Sequence, residues 1–237
     1  MNDSFQIASV LLELEIIACS LDDAVAAYKG GASRLEVTVR LDLAGLTPPA
    51  DLVRQIVETV PVPIRAMLRD NAGFALSGEA ELETLKERAK EFAALGVDGL
   101  VVGHVKDGRL DLEALREIIA AAPATRFTAH HAVEATDDPL AALRALRDFP
   151  SVDRVLVRGG SGTIAQRIER LAEYREAIGP EKLLIVGGDV TLANLKQFRD
   201  AGIRIFHMGR AVRSPETADG KVDREKVKAA TMTLGSP

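Results

Sequence analysis

The 237-residue chain has a single cysteine, Cys19, so no internal disulfide can form, and such usage suits a reducing cytosol. It lacks an excess of positive charge: 30 basic residues against 35 acidic ones leave −5 at neutral pH. Nucleic-acid binding therefore has no electrostatic support at the level of the whole chain. No apolar run is long enough to span a bilayer. The opening MNDSFQIASVLLELEIIACS carries acids inside its apolar stretch and no basic leader. We expect a cytoplasmic protein with neither nucleic acid nor membrane as partner. No HxH, CxxC or HExxH spacing marks a metal site, and no dinucleotide fingerprint follows the first apolar run. Linkers rich in proline and serine are missing too, so one domain over residues 1–237 is expected.

What is present is a cadence. Apolar, β-branched runs predict strands at Leu12–Ala18, Arg34–Thr38, Ile64–Arg69, Gly99–Gly103, Arg126–His130, Arg154–Val157, Leu183–Val186 and Arg204–Met208. Between them lie segments of helical period, among them Leu21–Lys29, Ala50–Val60, Glu79–Leu95, Leu112–Ala122 and Gln166–Ile178, with a last helix near Arg224–Leu234. Ser20, Ser77 and Thr191 stand as start signals, and Gly30-Gly31, Gly96, Gly179 and Gly202 as stops. Strands separated by helices pair in parallel, and eight such units close into a TIM (β/α)8 barrel of about 250 residues. An open doubly wound sheet is the alternative, and the count of eight argues against it.

All four histidines fall where a strand-like run ends: His104, His130, His131 and His207. In a barrel those ends share the face that carries chemistry. Alternation turns Glu13 and Glu15 to one side of the first strand, and turns Arg34, Glu36, Arg65, Met67 and Arg69 inward. A buried carboxylate needs a partner, so Glu15 and Glu36 are expected to face Arg65 or Arg69. Arginines that open strands (Arg34, Arg65, Arg126, Arg154, Arg204) read as an ion network at the bottom rim. Residues near strand ends read as functional, with Glu15, Glu36, Arg69 and His130 as catalytic candidates and Arg158 and His207 as ligand-binding ones.

The seventh and eighth units place Gly187-Gly188 and Gly209-Arg210 directly after strands, where barrel enzymes often hold phosphate. Loops after strands use glycine for tight turns in any case, but two such turns in paired loops favour an anion. Gly159-Gly160, beside Arg158, supplies another flexible turn. His130 and His131 are adjacent and would point to opposite sides of a strand, a rule that weakens at a fraying end. A metal site would need one of them joined by folding to His207, His104 or a carboxylate. For copper(I), the soft donors available are Cys19, Met67 and Met208.

The residues resemble the copper homeostasis protein CutC family. The likeness runs through LEIIACSLDDAVAAYKGGASRLEV and AGLTPP, then PIRAMLRDNAGF, GVDGLVVGHVKDGRLDLEALREI and FTAHHAVEATDDPLAAL, and on to VDRVLVRGG, VGGDVTLANL and GIRIFH. It covers about Leu12 to His207. The resemblance implies a TIM barrel, an association with copper, and polar positions at the barrel mouth for Glu15, Glu36, Arg69, His130 and His207. The family's strand-one and strand-two cysteines correspond to Ile17 and Thr38, with Cys19 displaced by two residues. Its His-Arg pair of strand five is His130-His131, followed by Glu134, and its Pro-Arg after the strand-three arginine is Asp70-Asn71. Met208-Gly209-Arg210 replaces a serine-rich end to strand eight.

Two functions follow. The first is a cytosolic barrel of copper homeostasis, with copper as the candidate cofactor. The second is a lyase, epimerase or isomerase acting on a small phosphorylated or carboxylated metabolite. In it Gly187, Gly188, Gly209 and Arg210 hold the anion, Glu36 or His130 moves a proton, and Arg69 stabilises an enolate-like charge. The expected partner is a small anionic metabolite or a metal ion, and a homo-oligomer is compatible with the fold.

Overall fold

The computed structural model describes residues 12–235. Eight parallel strands close into a barrel: β1 Glu13–Ala18, β2 Arg34–Val37, β3 Ile64–Met67, β4 Gly99–Val102, β5 Arg126–Ala129, β6 Val152–Val157, β7 Leu183–Val186 and β8 Ile205–Met208. Each strand pairs with its neighbours in sequence, and β8 closes on β1. Helices α1 Leu21–Gly30, α2 Ala50–Thr59, α3 Glu79–Ala94, α4 Leu112–Ala121, α5 Pro139–Ala145, α6 Ile164–Ile178, α7 Leu195–Asp200 and α8 Arg224–Gly235 follow the strands. The (β/α)8 expectation holds. Among the described residues no helix is long and apolar enough to cross a membrane.

Local chemistry sets these boundaries. Ser20 caps α1 by accepting the Asp23 N–H, and Gly31 ends it at φ 99°, a left-handed geometry that costs glycine little. Thr163 and Gln166 form a reciprocal capping box, so α6 begins two residues before the helical period becomes visible. Two segments differ from expectation. Asp138 and Pro139 start a short α5 within DDPLAAL, and α7 begins at Leu195 because Thr191 and Asn194 hold a separate turn before it. The third, second and fifth strands also stop early, which leaves Arg69, Thr38 and His130 just past the pleat.

The apolar packing lies mainly between barrel and helices. Outward residues such as Leu14, Ile16, Leu35, Val37, Leu68 and Phe127 join the helices in one continuous core. Inside the barrel the apolar cluster is small: Leu156, Ile185 and Ile205, with Leu183 against them, all on β6–β8. The β1–β3 side of the interior is polar instead, with Glu15, Arg34, Glu36 and Arg65 all buried.

At the bottom of the barrel these charges are paired. Arg34 reaches Asp98, Arg65 lies 3.2 Å from Asp98 and makes two 2.8 Å bonds to Asp153, and Arg154 holds Glu13 at 2.9 Å. Asp153 should point away from the interior by alternation. A bulge between β5 and β6, where Phe127 pairs with Val152 but Thr128 with Arg154, swings it inward. Gly99 gives Arg65 its space, since a Cβ there would stand 2.9 Å from Nε and 2.7 Å from the Arg126 carbonyl. Three of the five arginines expected at this rim therefore join the network. Arg126 and Arg204 do not: both are exposed, and Arg204 donates to the Arg199 and Ile203 carbonyls.

Candidate functional site

The carboxyl ends of the strands surround a pocket of about 280 Å³. Its lining includes Glu36, Arg69, His130, Arg158, His207 and Arg210, and the backbone of Gly188 and Gly209. Glu15 and Gly187 lie just beneath, against His207. The fold thus gathers all ten sequence-derived site residues at one end of the barrel.

Strand pairing builds the floor. Glu15 is in register with His207 on one side and Arg34 on the other. Glu15 Oε1 lies 2.9 Å from His207 Nδ1, and Glu15 Oε2 comes within 3.4 Å of Arg34 Nε. Glu36, one strand over, is 2 % exposed, and its Oε2 has no hydrogen-bond partner. The expected pairing of both carboxylates with Arg65 or Arg69 is therefore not what forms. Arg65 is taken by Asp98 and Asp153, and Arg34 with His207 serves Glu15 instead.

These environments set the proton affinities. Burial, with the Glu15 charge adding to it, pushes Glu36 up to about 7 against the pull of His207 and Arg69. Burial would also raise Glu15, but the hydrogen bond and charge of His207, with Arg34 and Arg65, hold it below the usual carboxylate range. Burial opposes charge on His207, yet the Glu36 and Glu15 carboxylates outweigh it and raise its pKa. The floor can thus hold a proton between Glu36 and His207, or offer oxygen and nitrogen donors to a cation.

His130 is held neutral. Burial, then the neighbouring His104, His131 and Arg69, lower its pKa well below the ordinary value. Its Nδ1 accepts the Ala132 N–H at 3.2 Å, which places the ring proton on Nε2, and that nitrogen is buried without a partner. Gly103 makes room for the ring, because a Cβ there would sit 2.8 Å from Nδ1. His131 opens a short turn once β5 ends, so it too lines the pocket instead of facing away. His104 is buried but takes no part in the lining.

Arg69 differs most from its expected role. All five of its N–H groups are spent on backbone carbonyls: Nε on Asn71 and Gly73, Nη1 on Ala44 and Gly45, Nη2 on Leu43 and Ala72, between 2.7 and 3.2 Å. It ties two mouth loops together and brings Leu41, Ala44 and Phe74 to the pocket wall, leaving no N–H for an enolate. Glu134 does similar work unforeseen by spacing. Its carboxylate accepts the N–H groups of Arg158, Gly159 and Gly160 at 2.6–2.8 Å, so the turn after β6 already holds an anion of its own.

The glycine turns are only partly open. Gly187 donates to the Val157 carbonyl at 2.9 Å, and the carbonyls of Gly187 and Gly188 accept from Arg167. Arg158 packs over Gly188, and Arg210 is exposed at the rim. The sulfur donors do not converge. Met208 faces outward into the helix-side core, and Cys19 lies in a different pocket with Asp23 and Arg213. Burial, opposed by Arg213, pushes the Cys19 thiol up to about 11, so it is not a thiolate at neutral pH. Met67 alone lines the mouth.

The comparisons agree with this architecture. The CutC family model matches residues 12–212. A CutC family protein of Xanthomonas campestris pv. campestris is 32% identical over 198 residues, covering 82% of this chain and 81% of that one. One from Salmonella typhi is 32% identical over 203 residues, covering 85% and 78%. Among solved structures, a CutC copper homeostasis protein of Streptococcus agalactiae superposes with a TM-score of 0.76 at 23% identity, over 84% of this chain and 98% of that one. Orotidine 5'-phosphate decarboxylase of Pyrococcus horikoshii gives 0.64 at 18% identity over 94% and 100%, a likeness of fold. The chain belongs to the CutC family.

Proposed function

We propose that the chain serves copper homeostasis, the role attached to its Streptococcus relative, through a small anionic ligand bound at the barrel mouth and not through a sulfur site for copper(I). The observation that carries this reading is the separation of the soft donors. Copper(I) selects thiolate and thioether, but Cys19, Met67 and Met208 occupy three different environments. The mouth instead offers Arg158 and Arg210 at the rim, the His130 Nε2–H donor in the wall, and Glu36 with His207 below. Such a set suits an anionic head at the rim and a hydroxyl or carbonyl at depth. Complementation of a copper-sensitive strain lacking its own homologue tests the reading. Cys19→Ser should restore copper tolerance as well as the native chain does, and Arg210→Ala should restore it poorly. The reverse result would overturn it.

The Glu15–His207–Glu36 floor favours a second reading, an enzyme acting on a phosphorylated or carboxylated metabolite. Glu15 fixes the His207 ring, and Glu36 with a pKa near neutrality can take and return a proton. Arg69 then positions the wall and does not touch the reacting group.

A further inference from the structure

Glu15, Glu36 and His207 reach the floor from three adjacent strands, and one donor atom from each lies within 4.8 Å of the others. All three side chains are nearly inaccessible, at 1 %, 2 % and 6 % exposure. Two carboxylate oxygens here are enclosed and accept no hydrogen bond: Glu36 Oε2, and Glu15 Oε2, which Arg34 Nε approaches only to 3.4 Å. A buried acceptor without a donor is costly, and natural structures rarely keep one without a ligand or water to satisfy it. Beside them the imidazole is already oriented. Glu15 Oε1 meets Nδ1 at 2.9 Å, so a carboxylate oxygen and a ring nitrogen already stand side by side, as two ligands of one ion would.

We propose that Glu15, Glu36 and His207, the last through Nδ1, bind one divalent cation of the zinc or manganese class that takes the place of the proton between Glu15 and His207, open to the mouth pocket on its remaining side. Two oxygens and one nitrogen match borderline and hard divalent ions and are a poor match for copper(I). The three-ligand, one-open pattern is that of an ion that also meets a substrate or water. Bond lengths of about 2.0–2.2 Å put the ligands of one ion about 3 Å apart, a spacing that Glu15 Oε1 and His207 Nδ1 already have and that Glu36 reaches by drawing in. The inference rests on the mouth being the working site and adds to it the class of ion held at its floor.

The test uses the full chain, stripped with chelator and titrated separately with zinc chloride, manganese chloride and, without oxygen, copper(I) against a competing chelator. We expect one zinc or manganese ion per chain. Glu36→Gln, which keeps the shape of the side chain, should weaken that binding at least tenfold with its circular dichroism unchanged. Met67→Leu and Cys19→Ser should leave it within twofold. Cobalt substitution gives a second readout, since oxygen–nitrogen ligation lacks the strong sulfur-to-metal absorption. Absence of saturable divalent binding, equal binding by Glu36→Gln, or a single copper(I) equivalent lost in Met67→Leu would each overturn the proposal. If divalent binding fails while copper tolerance still depends on Arg210, the mouth reading survives and only the ion is removed. If both fail, the mouth reading falls with it.

Discussion

The two ends of the barrel hold similar side chains in opposite conditions. At the bottom, Arg34, Arg65 and Arg154 each meet an acid, and Arg65 is saturated by Asp98, Asp153 and Thr128. At the mouth, Glu36 and His130 keep buried polar atoms with no partner, within a few residues of arginines committed elsewhere. At the bottom each buried arginine has a carboxylate partner, although Arg34 Nε and Arg154 Nε make no hydrogen bond, whereas at the mouth Glu36 makes no ion pair and its Oε2 accepts no hydrogen bond. Both ends cost desolvation; ion pairs offset it at the bottom and at Glu15, whereas Glu36 makes none. Burial alone therefore does not tell the two ends apart; the pairing of opposite charges does.

The sharpest break in the comparison is at the bottom. Asp153→Ala leaves Arg65, 1 % exposed, without its two-point partner. Removing one member of a buried pair typically costs about 3–5 kcal/mol; with Asp98 and Thr128 still in place we expect about 3 kcal/mol in denaturant unfolding. Copper tolerance per folded molecule should stay unchanged.

The mouth should behave in the opposite sense. In metal-free protein the raised Glu36 pKa means the folded chain keeps a proton that the unfolded chain has released, between about 4.5 and 7. Stability from this group is full below the unfolded value and is lost as pH rises through the folded one, at up to about 1.4 kcal/mol per pH unit. Glu36→Gln should flatten that decline, so the variant gains on the native chain between pH 5 and 8 in thermal unfolding. A difference that stays constant with pH would show that Glu36 is not the titrating group.

A smaller effect is expected at Arg69. Lysine keeps the charge but cannot reach six carbonyls in two loops, so Arg69→Lys should cost about 1–2 kcal/mol. Amide exchange should accelerate at residues 43–45 and 71–73 before it does in the strands. Loss of ligand binding without loop loosening would restore the direct role that its position first suggested.

The least perturbing probe is Cys19. With its pKa near 11 against an ordinary 9.0, alkylation at pH 8 should run on the order of a hundredfold slower than for a free thiol. Ordinary rates would mean that the burial holding the thiol protonated is relieved in solution.

Much of this was legible in the chain. Alternation turned Glu36, Arg65 and Arg69 inward, and the ends of the strand-like runs placed His130 and His207 at the mouth. Strand order brought the four distant carboxyl ends together. Pairing was not legible, because it depends on contacts across the barrel. Asp153 turns inward only through a bulge, Asp98 stands before its strand, and the carbonyls that hold Arg69 belong to loops with no period to read. Glu134 was noted for its place in the family pattern, yet nothing in its spacing announced that it would fill the turn at 158–160.

The small apolar patch on β6–β8 has a consequence for how such a scaffold changes. Since cohesion comes chiefly from the layer between strands and helices, the lumen contributes little glue and is correspondingly free to be rewritten. A cylinder held from outside can carry an isoleucine at position 17 and a threonine at 38, with carboxylates at 15 and 36 two residues before them, without touching the layer that closes it.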